Sequence, residues 1–224
     1  MSRFTCHLTL VFALGFAPLC KSQAQPLDCS VEDQQCLDDS LFLACGQPES
    51  DEASCLAWVR AVRAHPQSRN PDWRLTAAAG YSHVADLSGS GEDRERYREE
   101  GRAIYRDVLT AWPDGAYARR AYVGLASLTD DISQSISLLR DARRADPSDK
   151  NTYYFLATAL QSRGLEGDYS EAADLYREIY SDWGGFYYAA ENALRLYTLS
   201  GQAARAAEFR CDQARLVEEE WSMR

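Results

Sequence analysis

Seven cysteines in a chain of 224 residues are the side chains with the clearest chemistry. Cys29, Cys36, Cys45 and Cys55 fall within 27 residues, Cys6 and Cys20 precede them, and Cys211 stands alone near the end. Structural zinc sites favour close C-x-x-C type pairs, and gaps of 7, 9 and 10 residues fit that pattern poorly. Four clustered cysteines in an exported chain read instead as a disulfide framework, with three pairings open. Cys211 reads as a buried small apolar residue rather than a functional thiol, an intermolecular bridge being the alternative.

Catalytic constellations are sparse. His65 precedes Pro66 at a helix end, and His83 follows Ser82 with Asp86 three residues on. A nucleophilic triad needs a base oriented by a third group around an exposed nucleophile. Ser82 and His83, adjacent on one helix, point in different directions. Ser88-Gly89-Ser90-Gly91 lacks the lysine and the preceding strand of a phosphate-cradling loop. Glu218-Glu219-Glu220 reads as a solvated terminal turn rather than a metal site. The chain is therefore read as not an enzyme, with no cofactor and no metal.

Arg3, an apolar run from Leu8 to Leu19 and the small-x-small close at Ser22-Gln23-Ala24 have the layout of a cleavable export signal over residues 1–24. The run is shorter than the roughly 20 residues that cross a bilayer. A lipid anchor on Cys20 is the competing reading, disfavoured because Pro18-Leu19 replace the small residue such processing wants. Removal of residues 1–24 takes Arg3 and Lys21 and no acids, leaving 22 basic against 34 acidic residues, a formal balance of −12. So acidic a chain is repelled by nucleic acid and by anionic membranes.

The periodicity assigns the rest to helices. One covers about Val31–Cys45, ended by Gly46-Gln47-Pro48; a second starts behind Ser50-Asp51 and runs to about Ala64. In an antiparallel hairpin turning near Gln47–Ser50, Cys45 and Cys55 lie at the turn end, so a bridge there is preferred and Cys29–Cys36 follows by elimination. Pro71-Asp72 starts a helix with Trp73, Ala77 and Tyr81, and Glu92–Trp112 is another, with Tyr97, Gly101, Ile104, Tyr105, Val108 and Leu109 on one apolar stripe. Its Arg94, Glu95, Arg98, Glu99 and Arg102 read as a solvated face with i,i+4 pairs. Further helix pairs follow over Asp114–Pro147, Ser148–Gly184 and Gly185 to the C-terminus, with Gly164 and Gly201 as left-handed caps.

Pro113 and Pro147, 34 residues apart, each close a helix pair, and Gly167-Asp168-Tyr169-x-x-Ala172-x-x-x-Tyr176 opens a second helix. In these features the chain resembles the tetratricopeptide repeat family, over about Asp72–Leu216. Ala157 and Ala172 stand where that family places small residues facing each other, and Leu194 with Ala206 is a departure. The resemblance implies an all-α fold: an antiparallel helix-pair solenoid of about four repeats (71–217), behind a Cys-rich, disulfide-bonded helical cap (25–70) and before a tail (218–224).

It also implies a concave face lined by the first helix of each pair. Carried onto this chain, that face holds Tyr117, Arg120, Asn151, Tyr154, Thr158, Tyr188, Glu191 and Arg195. Tyrosines among polar groups suit a peptide, because each ring joins apolar area to a hydrogen-bonding tip. Arg120, Asn151 and Arg195 with Glu191 among them do not make the Lys- and Asn-rich clamp that binds acidic C-termini. The expectation is a non-catalytic scaffold in the bacterial envelope, periplasmic or secreted, that binds a protein or peptide partner. The alternatives are a thiol-dependent or otherwise catalytic accessory using the Cys-rich segment, and a secreted factor acting outside the cell.

Overall fold

The computed structural model describes Cys29, residues 34–182 and residues 187–222, and only the backbone at 182, 187 and 215–222. The expected export signal, Cys20, the start of the first helix, Trp183-Gly184 and the Glu218–Glu220 side chains lie outside the described residues.

Ten α-helices and no strand occur among the described residues: α1 (Gln34–Cys45), α2 (Glu52–Ala64), α3 (Pro71–Leu87), α4 (Gly91–Ala111), α5 (Gly115–Ser127), α6 (Ile132–Ala145), α7 (Lys150–Arg163), α8 (Asp168–Asp182), α9 (Tyr187–Leu199) and α10 (Ala203–Ser222). Local chemistry sets these bounds. Asp51, Asn70, Ser90, Asp131 and Asp149 each accept a backbone N–H of the first turn that follows, worth about 1 kcal/mol apiece. Pro71 sits at the helix start, where its missing N–H costs nothing. Gly164 (φ 65°) and Gly201 (φ 72°) take the left-handed conformation expected of them.

Each helix packs on its neighbours in sequence, and α3 touches both α1 and α5. The apolar stripes thereby merge into three adjoining clusters. One joins α1–α4 around Leu37, Trp58, Trp73 and Tyr97; the next joins α3–α5 around Leu75, Tyr105 and Val108. The third runs from α5 to α10 around Leu156, Tyr176, Tyr197 and Phe209. Ala157 and Ala172 are both fully buried. Cys29 bonds to Cys36 and Cys45 to Cys55, the preferred pairing, and the latter bridge ties the end of α1 to the first turn of α2.

Two sequence expectations are corrected. Cys211 is free and exposed rather than buried, because α10 buries Ala206 and Phe209 and turns the Cys211 side outward. The arginines of α4 are more than a solvated face. Arg94 donates to the Ala85 and Ser88 carbonyls (3.3 and 3.0 Å), at the end of α3. Arg102 donates through Nε to the Leu128 carbonyl (3.2 Å), at the end of α5. Helix C-termini carry unsatisfied carbonyls and partial negative charge, so a guanidinium there answers both.

The α7–α8 connection turns on Asp168. Its buried carboxylate accepts from Arg163 Nε and Nη2 (2.9 and 2.7 Å) and from the Leu165 N–H (2.9 Å). The Arg163 bonds, helped by the Leu165 N–H, hold the Asp168 carboxyl below its ordinary range against the opposing effect of burial. With the folded value below the unfolded one, this stabilisation is complete above about pH 4 and is lost as pH falls through the folded-state value. Asp168→Asn should therefore cost roughly 2 kcal/mol at neutral pH in urea denaturation. It should also flatten the acid side of the stability curve relative to wild type.

Candidate binding face

The first helices of the pairs carry the residues expected to face a partner, and these divide into two groups. On α5, Tyr117 is half-buried, donates to Asp72 Oδ2 (3.3 Å) and meets the Trp112 ring edge-on. Arg120 forms an ion pair with Asp72 Oδ1. Asp72, in the first turn of α3, thus holds both residues and joins α3 to α5. Burial, with the adjacent carboxylate, pushes the Tyr117 phenol up. Arg119 is likewise engaged, with Asp146 and Asp149 at 3.4 and 3.3 Å.

Between α1, α3 and α5 lies a cleft of about 270 Å³, lined by Asp38, Thr76, Tyr105, Arg119, Val123 and Ser127 among others. Tyr105 reaches it from α4, passing between α3 and α5. Only glycine at 124 permits this, since a Cβ there would fall inside the Tyr105 ring. Complete burial pushes the Tyr105 phenol up to about 12, so it stays protonated.

The second group is more open. Tyr176 crosses from α8 to lie between α7 and α9, and its hydroxyl is 3.2 Å from Thr158 Oγ1. Tyr154 packs edge-on against both Tyr176 and Phe155, with ring centroids 6.1 Å apart in each case. Burial raises the Tyr176 phenol, the Thr158 hydrogen bond opposes it, and the Tyr154 and Tyr188 phenols add to the rise, with Arg195 countering. Tyr154 and Thr158 of α7 thus both meet Tyr176, one ring against ring and the other at the hydroxyl. Tyr188 is 52% exposed and Phe155 44% exposed. Arg195 Nη2 donates to Asn192 Oδ1 (3.0 Å), and buried Asn192 donates to the Tyr188 carbonyl (3.0 Å), which ties the guanidinium to the first turn of α9. Asn151 is exposed and donates to Asp149 Oδ1 (3.3 Å); Glu191 is exposed.

Sequence reasoning missed Asp72, Phe155, Tyr176 and Asn192 as parts of this face. Tyr176 was legible only as a core position of its helix; its length is what carries the hydroxyl through to the far side. Elsewhere, His65 stacks on Trp73 with ring centroids 4.1 Å apart. Ser82 Oγ donates to the Ala78 carbonyl, and no hydrogen bond among the described residues joins Ser82, His83 and Asp86. No group of three or more His, Cys, Asp or Glu is placed to hold a metal ion among the described residues. No protein-family model matches the chain, and no curated protein matches it.

The Tyr105–Gly124 contact gives a test of this geometry. Gly124→Ala should lower stability by about 1–3 kcal/mol through overpacking, measured by urea denaturation. Gly89→Ala, where nothing lies within 4 Å, should leave the midpoint nearly unchanged.

Proposed function

We propose that the chain is a non-catalytic interaction scaffold, a tetratricopeptide-like solenoid that holds a protein or peptide partner on the α7–α9 part of its first-helix face. The repeat reading draws support from the ion pairs between alternate helices. Arg140 on α6 meets Glu171 on α8, 31 residues on, and Arg143 meets Glu178, 35 residues on. Arg177 on α8 meets Glu208 and Asp212 on α10, again 31 and 35 residues on. Each of these separations is about one helix pair, as expected where equivalent helices lie side by side along an array.

The observation that carries the binding reading is the cluster around Tyr176. Tyr154 and Thr158 of α7 both meet the Tyr176 phenol and Phe155 meets Tyr154, yet the Tyr188 and Phe155 rings stay substantially exposed. Rigid aromatic area with hydrogen-bonding tips and a fixed guanidinium is the composition of a binding hot spot. Export to the envelope is compatible with the two disulfides and with the absence, among the described residues, of any helix long and apolar enough to cross a membrane. A thiol-dependent role would have only the Cys211 thiol available among the described residues, because the other four cysteines are paired.

Crosslinking and pull-down from envelope extract would identify the partner. Tyr154→Ala with Tyr188→Ala should then abolish its capture and leave helicity by circular dichroism nearly unchanged. Undiminished capture would place binding on another surface and sink this reading.

A further inference from the structure

The α1–α2 pair leaves two large apolar side chains exposed among small and charged ones. The pair buries Leu37, Cys45, Cys55, Trp58, Val59 and Val62, the last four of them on the side of α2 that packs on α3. On the exposed side of α1, Phe42 and Leu43 are 58% and 70% exposed, beside exposed Asp39. The exposed side of α2 carries Ala53, Ala57, Ala61 and Ala64 in one stripe, with Arg60 among them and Arg63 at its edge. A terminal pair in a helical array ordinarily closes it with a polar outer face, and large exposed apolar side chains at such a place mark an interaction site.

The Cys45–Cys55 bridge fixes how the two helices are aligned, with their Cα atoms 4.8 Å apart at the turn end. Counting back along α1 and forward along α2 from that bridge, Leu43 comes level with Ala57, and Asp39 with Ala61, next to Arg60. A two-fold axis running lengthwise between α1 and α2 keeps every residue at its own level while laying each α1 on the other copy's α2. Large side chains then meet small ones, and acid meets base, twice over. The face is complementary to itself in shape and in charge, which is the requirement of an isologous interface.

We propose that this face is the homodimer interface of the protein, with Leu43 seated on Ala57 and Asp39 paired with Arg60 of a second copy. The proposal is independent of what the α7–α9 face binds. Sedimentation velocity on the full chain, in a Cys211→Ser background that removes the exposed thiol, tests it through mass alone. The expected result is a concentration-dependent species of twice the chain mass, reduced to monomer by Leu43→Glu and by Ala57→Glu. Arg60→Asp should weaken association by about tenfold or more through like-charge contact, and adding Asp39→Arg should restore it. Unchanged far-UV circular dichroism in each variant separates loss of association from loss of fold. A monomer at every concentration, loss of the dimer with Cys211→Ser alone, or a dimer indifferent to both glutamates would overturn the proposal. A charge swap that fails to restore association would overturn the stated register.

Discussion

A helix pair of this chain has two sides to cover, and neither can be covered from within the pair. α4 shows the consequence. It buries Tyr97 into the cluster shared with α1–α3 and Tyr105 and Val108 into the cluster shared with α3 and α5. Its polar side is recruited as well, with Arg94 and Arg102 satisfying carbonyls at the ends of α3 and α5. Ion pairs on exposed surface contribute little one at a time. A guanidinium at a buried helix end instead removes an unsatisfied acceptor, whose desolvation would cost on the order of 1–3 kcal/mol. Arg94 therefore ties α4 to α3 within one pair, and Arg102 ties it to α5 of the next.

The same close packing explains why two tyrosines in comparable places behave differently. Tyr105 and Tyr176 both extend from the second helix of a pair toward the first-helix face. Gly124 lets the Tyr105 ring sink against α5, where it is sealed and protonated. Tyr176 meets Thr158 instead, with the Tyr154 ring edge-on against it. Toward the N-terminus, Asp72 takes up Tyr117 and Arg120, so that stretch of the face holds the molecule together. Toward the C-terminus, Tyr188 and Glu191 stay exposed instead.

What the sequence disclosed follows from how local each signal is. The start of α2 was legible because Asp51 acts within its own first turn, and the ends of α7 and α9 because Gly164 and Gly201 are needed for one backbone angle. The Cys45–Cys55 pairing was legible because a short hairpin brings those positions together whatever surrounds it. The side taken by Cys211 was not, since α10 is small-residue-rich around much of its circumference and periodicity alone does not choose a face. Nor were the partners of Arg94, Arg98 and Arg102, because Ala85, Leu128 and Asp130 approach α4 only once the pairs have packed. Of the expected face, spacing marked Tyr154 and Tyr188, but how Phe155 and Asn192 turn depends on a helix rotation that spacing does not specify.

The two disulfides belong to the same accounting of neighbours. Among the described residues α5–α6 packs against both α4 and α7, whereas α1–α2 packs chiefly on α3 and α4. Loops of 7 and 10 residues closed by disulfides each restrict the unfolded chain by roughly 2–3 kcal/mol on a chain-entropy basis. That is comparable to burying one or two large apolar side chains, the contribution a missing neighbour would have made. Cys45 and Cys55 are themselves buried in the α1–α4 cluster, so covalent and apolar stabilisation act at one place. Where a second copy covers Phe42 and Leu43, the pair gains the missing neighbour as well, and its stability becomes tied both to an oxidising environment and to protein concentration.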